Sequence, residues 1–180
     1  MILIKTERLI LREFQMEDAL PLNDICNELY ILKWMPDWEV TVEQRKRWIQ
    51  WVKSKYDKIS KYEVRVMLAV TKKNSGQLMG MVGIGNKGEV NNEIEIAYFI
   101  ANKYSENGFI TEALSSWALE SLNLEYLIAI VEPDNCASQK VVEKCGFEKQ
   151  ETKMILNSGE TEEKPFYYYR LYNPTKFPNR

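Results

Sequence analysis

Glu93 and Glu95 stand two residues apart in the alternating run from Asn92 to Ile100. A strand would put both carboxylates on the face shared by Ala97 and Phe99. Such groups can take a proton from an incoming ammonium, directly or through water, and read equally as ordinary solvent-facing strand carboxylates. Next, the segment IANKYSENGFITEAL, from Ile100 to Leu114, places Asn107 and Gly108 just ahead of helix-spaced apolar residues. Backbone amides at a helix start carry partial positive charge and can hold an anion without a lysine, and Gly108 would let that anion come close. The glycine also reads as one that merely permits a tight turn. A third group lies in VEPDNCASQKVVEKCGF, from Val131 to Phe147, where Asn135 and Ser138 fall in the first turn of another helix. They could meet a ligand leaving the gap between two strands, and Asn135 could equally be a helix cap.

Histidine is absent from all 180 residues, which removes Ser/His and Cys/His nucleophiles and the commonest zinc ligand. Carboxylates, hydroxyls, phenols, backbone amides and a borrowed cofactor remain. The three cysteines, Cys26, Cys136 and Cys145, show no CxxC spacing and read as small reduced core residues rather than disulfide partners.

The elements that must position these groups follow from hydrophobic periodicity. Arg8 to Glu13 alternates and precedes Leu22, Ile25, Cys26 and Leu29 at helical spacing, so a strand leads into a helix. The link WMPDW, from Trp34 to Trp38, reads as a loop, and Thr41-Val-Glu-Gln44 is a capping-box pattern opening a second helix through Trp48, Ile49, Val52 and Tyr56. Val64, Val66, Leu68 and Val70 form one arm of a hairpin, Asn74-Ser75-Gly76 its turn and Leu78 to Ile84 the other arm. After the glycine loop, Ile110, Leu114, Trp117 and Ala118 mark a helix before the apolar strand Tyr126 to Val131. Strand, helix and strand of this length predict a parallel pair with a right-handed crossover. The helix opened by Pro133-Asp134-Asn135 carries Ala137, Val141 and Cys145 on one face and stops at Gly146. Two strands close the chain, roughly Phe147 to Leu156 and Phe166 to Tyr172, joined by the polar turn Asn157 to Lys164.

No repeat or linker interrupts this pattern, and 45% apolar content suits one α/β domain over residues 1–180. The net charge of -2 is spread along the chain, which argues against nucleic acid as a partner. No apolar stretch approaches membrane-spanning length and MILIKTERLI lacks signal-peptide features, so a cytoplasmic protein is expected, monomer or homodimer.

Three segments, in this order, resemble the GNAT acetyltransferase family, in its branch of ribosomal-protein N-terminal acetyltransferases and small-molecule relatives. TERLILREF with Asp18-Ala19 is similar to that branch's opening strand and helix, GFITEAL to its pyrophosphate loop and helix, and PDNCAS followed by VVEKCGF to its closing motif. The resemblance spans nearly the whole chain. It implies an α/β GNAT fold, with a mixed central sheet of about seven strands splayed at the cofactor site and flanked by about four helices. It also implies direct transfer of an acetyl group from acetyl-coenzyme A to a primary amine, without a covalent enzyme intermediate and without need of a metal. In this resemblance the pantetheine arm pairs with backbone at Phe99 and Ile100. The pyrophosphate sits on amides from Ser105 to Ile110, which brings in Glu106, Asn107, Gly108 and Phe109, with Thr111 beside them. Asn135 and Ser138 match positions at the pantetheine and sulfur end, and Glu95 aligns better than Glu93 with the family's base.

Two departures stand out. The loop pattern Q/R-x-x-G-x-G/A has Ser105 and Ile110 at its ends here, with Glu106 adding negative charge, and many relatives carry a tyrosine where this chain has Val142. Ser138 lies one helical turn before Val142 and is the candidate acid for the departing thiolate. Trp34, Asp37 and Trp38 fall where the family places acceptor-binding loops, as do Glu160, Glu162 and Glu163, while Tyr168 faces away from Tyr167 and Tyr169. The tryptophans can equally pack in the core and the acids be solvated turn residues. The preferred acceptor is a small cationic amine of polyamine or aminoglycoside type. The alternatives are a peptide amine, as in ribosomal-protein N-terminal acetylation, or a coenzyme A binding module without turnover.

Overall fold

A computed structural model describes residues 1–59, 63–115, 123–157 and 160–177. Eight strands form one sheet in the order β1-β2-β3-β4-β5-β6-β8-β7. They are β1 (Leu3–Lys5), β2 (Leu9–Glu13), β3 (Arg65–Lys72), β4 (Leu78–Lys87), β5 (Glu93–Ile100), β6 (Tyr126–Val131), β7 (Glu148–Ile155) and β8 (Lys164–Tyr172). Every neighbouring pair is antiparallel except β5 and β6, the parallel pair expected from the strand–helix–strand spacing. The described helices are α1 (Ala19–Cys26), α2 (Leu29–Leu32), α3 (Val42–Lys53), α4 (Phe109–Ser115) and α5 (Cys136–Lys144). Trp117 and Ala118, expected to extend α4, lie outside the described residues.

Strands β3 and β4 are buried over most of their length on both faces, which explains why their sequences run apolar rather than alternating cleanly. Phe99 and Tyr98 show what covers each side, because successive strand residues point to opposite faces. The Phe99 ring meets Trp38 with centroids 5.1 Å apart, on the side of α1 to α3. Tyr98 reaches Ser138 of α5, on the side where α4 and α5 pack together. The core thus lies in two layers, with Phe14, Leu22 and Ile49 among its fully buried members.

The capping box at α3 forms as its sequence requires: Thr41 Oγ1 accepts from Gln44 N–H at 3.3 Å and Gln44 Oε1 accepts from Thr41 N–H at 2.9 Å. Other boundaries differ from expectation. The first helix ends at Cys26 and restarts at Leu29 because Glu28 is extended, with φ -65° and ψ 130°. That break lets the Glu28 carboxylate accept from Asn102 N–H at 2.7 Å. The tryptophan link is not all loop, since Pro36–Trp38 makes one 3₁₀ turn. The eighth strand, β1, is a three-residue edge with an exposed–half-buried–exposed pattern, too short for alternation to reveal.

Candidate active site

Strands β5 and β6 share a single register pair, Glu95 with Ile128. Ala101 N–H donates to Met79 C=O at 2.8 Å. By the alternation of an antiparallel ladder, odd-numbered residues of β5 therefore turn their backbone groups to β4, and Ile96, Tyr98 and Ile100 turn theirs toward β6. On β6, Asn173 N–H donates to Glu125 C=O at 2.8 Å, which by the same rule leaves Ile128 and Ile130 facing β5. Past Glu95 and Ile128 the strands part, so the backbone groups of Tyr98, Ile100 and Ile130 face a gap instead of each other. An unpaired buried backbone group costs roughly 1–3 kcal/mol, and a ligand carrying amides can supply the missing partners. Of the two residues expected to pair with such a ligand, Ile100 presents backbone to the gap. Phe99 turns its backbone to β4 and reaches the cavity wall through its side chain. Tyr98 is the residue whose backbone the sequence reading missed.

A cavity of about 1060 Å³ lies over this gap. One end is walled by Ser105, Glu106, Gly108, Phe109, Ile110 and Thr111. Glu106 and Gly108 both have left-handed backbone, at φ 61° and 73°, which for a glutamate is uncommon. A Cβ on Gly108 would meet only Arg8 Nη2, at 3.7 Å, so the glycine is required by its conformation rather than by lack of room. Asn107 is not part of the cavity wall. Its side-chain amide donates to Ser105 C=O at 2.7 Å and its own carbonyl accepts from Arg8 Nη1 at 3.0 Å.

The opposite wall is the first turn of α5. Asn135 is buried and its Oδ1 accepts from Ser138 N–H at 3.1 Å, the geometry of a helix cap. Asn135, Cys136 and Ser138 line the cavity, whereas Val142 is fully buried in the core. Cys136 is exposed, which corrects its reading as a core residue. Tyr98 lines the same cavity and its phenol donates to Ser138 C=O at 3.2 Å. Burial pushes that phenol above its ordinary range, so it stays a neutral donor.

At the far end the two strand glutamates separate. Glu95 lines the cavity and its carboxyl is pushed up to about 7, chiefly by burial. Lys87 and Arg65 oppose the shift, and Glu89 and Glu132 add to it. Glu93 does not line the cavity. Its carboxylate accepts from the Tyr126 hydroxyl at 2.9 Å, the Tyr168 hydroxyl at 2.8 Å and Arg170 Nη2 at 3.0 Å. Tyr168 is buried in that network and does not reach the cavity; Phe166, two residues earlier on the same face, does. Trp34, Asp37, Trp38 and Glu160 line this end, while Glu162 and Glu163 are exposed outside it. Glu160 Oε1 accepts from Lys164 Nζ at 2.7 Å, and its Oε2 is buried with no hydrogen-bond partner among the described residues. Lys87 Nζ donates to Asn157 Oδ1 at 3.1 Å and lies 3.6 Å from Glu89 Oε2.

Residues 8–148 match the family model described as an acetyltransferase (GNAT) domain. The chain belongs to the GNAT acetyltransferases. Among curated proteins this GNAT chain is 29% identical over 165 residues to the uncharacterized N-acetyltransferase YoaA of Bacillus subtilis, covering 82% of this chain and 84% of that one. Among solved structures, the ribosomal-protein-S5-alanine acetyltransferase of Vibrio fischeri superposes with a TM-score of 0.79 at 18% identity, covering 96% of this chain and 97% of that one. The microcin C7 self-immunity acetyltransferase MccE, solved with acetyl-CoA and AMP, superposes at 0.77 with 15% identity, covering 93% and 94%. The chain is thus an acyltransferase with the GNAT architecture, its sheet of eight strands rather than about seven and its described helices five rather than about four. Among the described residues no cluster of metal-ligating side chains occurs and no helix is long and apolar enough to cross a membrane.

Proposed function

We propose that this GNAT enzyme transfers the acetyl group of acetyl-coenzyme A to a primary amine on a small cationic acceptor, of polyamine or aminoglycoside type. The observation that carries this is the cavity wall, where the carboxylates of Asp37, Glu89, Glu95, Glu106, Glu132 and Glu160 outnumber the lysines Lys87, Lys140 and Lys144. An ammonium ion entering there is drawn by the field of several carboxylates in a partly desolvated space. Trp34 and Trp38 give its carbon chain an apolar wall, each ring already carrying one cation of the chain, Lys33 at 4.5 Å and Arg45 at 5.0 Å from the centroid.

The donor would bring an activated acetyl thioester. The backbone of Tyr98, Ile100 and Ile130 would hold its amide-bearing arm, and the amides of residues 105–110 its diphosphate. Glu95, near neutrality in its proton affinity, would receive the ammonium proton, directly or through a water. The Ser138 hydroxyl would donate to the departing sulfur from the cavity wall, beside the Tyr98 phenol.

A peptide amine is the second reading. Tyr30, 39% exposed, lines the cavity from α2, and its chain neighbour Leu29 is 85% exposed, so the two could contact a peptide chain. A panel of polyamines, aminoglycosides and short peptides, read by release of free coenzyme A thiol, separates the readings. Cys136 is exposed, so each assay carries an enzyme blank. The cationic reading expects kcat/KM to favour the polyamines or aminoglycosides and to fall as ionic strength rises. Preference for a neutral peptide, or rates indifferent to salt, overturns it; thiol release with none of them indicates a binding module.

A further inference from the structure

The cavity's loop end contains Glu106 and no lysine or arginine among residues 105–110, yet it is the end at which the preceding reading puts a diphosphate. Lys140 and Lys144 line the cavity from α5, and Arg8, which is not part of the cavity wall, comes up to Gly108 from a distant part of the chain. We infer that Arg8, in the turn between β1 and β2, supplies positive charge to the diphosphate site at the Gly108 loop. This rests on the reading that the donor's diphosphate lies on the amides of residues 105–110.

The Arg8 guanidinium is held on three sides. Its Nε donates to Glu112 Oε2 at 2.6 Å, its Nη1 donates to Asn107 C=O at 3.0 Å, and its plane lies 4.4 Å over the Phe109 ring. Glu112 is fixed in turn, accepting from Arg8 N–H at 2.9 Å and from the Thr6 hydroxyl. The remaining nitrogen, Nη2, has no hydrogen-bond partner among the described residues and lies 3.7 Å from the point a Gly108 Cβ would occupy. With 43% of the Arg8 side chain exposed, that nitrogen is open to a ligand coming over Gly108.

Two consequences follow from this arrangement. The planar fork lets one side chain grip Glu112 and Asn107 and still offer a free edge, which a lysine cannot do. The contact to Asn107 also pins the residue between the two left-handed positions, Glu106 and Gly108, so less order has to be imposed on the loop when ligand binds. Without Arg8 the same space would hold Glu106 and Glu112 uncompensated, which opposes an anion.

The test compares coenzyme A with pantetheine, which shares the arm but carries no phosphate, by calorimetry on the full chain and its variants. Charge-assisted hydrogen bonds correspond to roughly a 10- to 100-fold change in affinity. Arg8→Gln should weaken coenzyme A by about that factor and leave pantetheine within about twofold, with Arg8→Lys between the two. Arg8→Gln leaves Glu112 alone, so the double variant Arg8→Gln/Glu112→Gln, which removes both charges, provides the same comparison if the single variant does not fold. Unchanged affinity for coenzyme A, or equal losses for coenzyme A and pantetheine, overturns the role of Arg8. If the unaltered protein binds coenzyme A no more tightly than pantetheine, the placement of the diphosphate itself fails, and the inference with it.

Discussion

Replacing Glu95 by glutamine separates its chemical role from its effect on stability, because the two should move in opposite directions. In the folded protein the carboxyl is pushed from an ordinary value near 4.5 to about 7, worth up to about 3 kcal/mol at roughly 1.4 kcal/mol per pH unit. Between those values the folded chain binds a proton that the unfolded chain has released. Stability from this group is therefore complete below about pH 4.5, is lost as pH rises through about 7, and stays lost above it. Glutamine has the same shape and no charge, so it escapes the loss. Urea unfolding at about pH 4 should show the two proteins alike, and at about pH 8 the variant should be more stable by up to about 3 kcal/mol. For a chain of this size that corresponds to roughly 6–12 °C in Tm. Over the same range kcat/KM of the unaltered enzyme should rise with pH through about 7, and the variant should lose about 10²- to 10⁴-fold and that limb of the profile. A stability difference that does not change with pH would refute the buried-carboxylate argument. A variant that keeps the rate and the limb would place the base elsewhere.

Ser138→Ala should lower kcat by roughly a hundredfold or more if its hydroxyl protonates the thiolate, with Tm and donor affinity nearly unchanged, because the Asn135 cap uses the Ser138 backbone rather than its side chain; steady-state kinetics beside a melting curve read both. Gly108→Ala should lose about 1 kcal/mol from the left-handed backbone alone, whereas Gly108→Asp should also abolish acetyl-coenzyme A binding by placing a carboxylate at the anion site, a difference calorimetry resolves. Gly80→Ala should be more damaging to folding than either, since its Cβ would collide with the Phe99 carbonyl and Ile100 Cα of the neighbouring strand, and chemical denaturation measures that loss.

The parts of the fold that were legible in the sequence are those fixed by local chemistry. The α3 cap needs only Thr41 and Gln44, and the parallel β5–β6 pair needs only a strand, a helix and a strand of sufficient length. What local pattern cannot supply is the choice between residues of the same phase. Glu93 and Glu95 share a strand face, and what tells them apart is Arg170, 77 positions away, which with Tyr126 and Tyr168 occupies one carboxylate and leaves the other to the cavity. The same applies on β8, where Phe166 and Tyr168 point alike and only Phe166 extends to the opening. Tyr98 carries no mark in the sequence, because alternation shows which side chains share a face and not which backbone groups the neighbouring strand leaves unpaired. The break at Glu28 was hidden because helical spacing continues through Leu29 while the backbone does not.

The single rung between Glu95 and Ile128 has a mechanical meaning. Strands β1 to β5 form one continuous ribbon and β6, β8 and β7 another, and among the described residues that rung alone pairs their backbones. Elsewhere the two ribbons are connected by side chains, where Glu93 holds Tyr126, Tyr168 and Arg170, and through the helices, where α4 lies on α5 and Tyr98 reaches across to Ser138. A molecule seated in the gap with its amides bonded to both edges would act as an interposed strand. It would turn two hinged panels into one plate, so that the substrate to be consumed also serves, while bound, as part of the scaffold that holds the reacting groups in register.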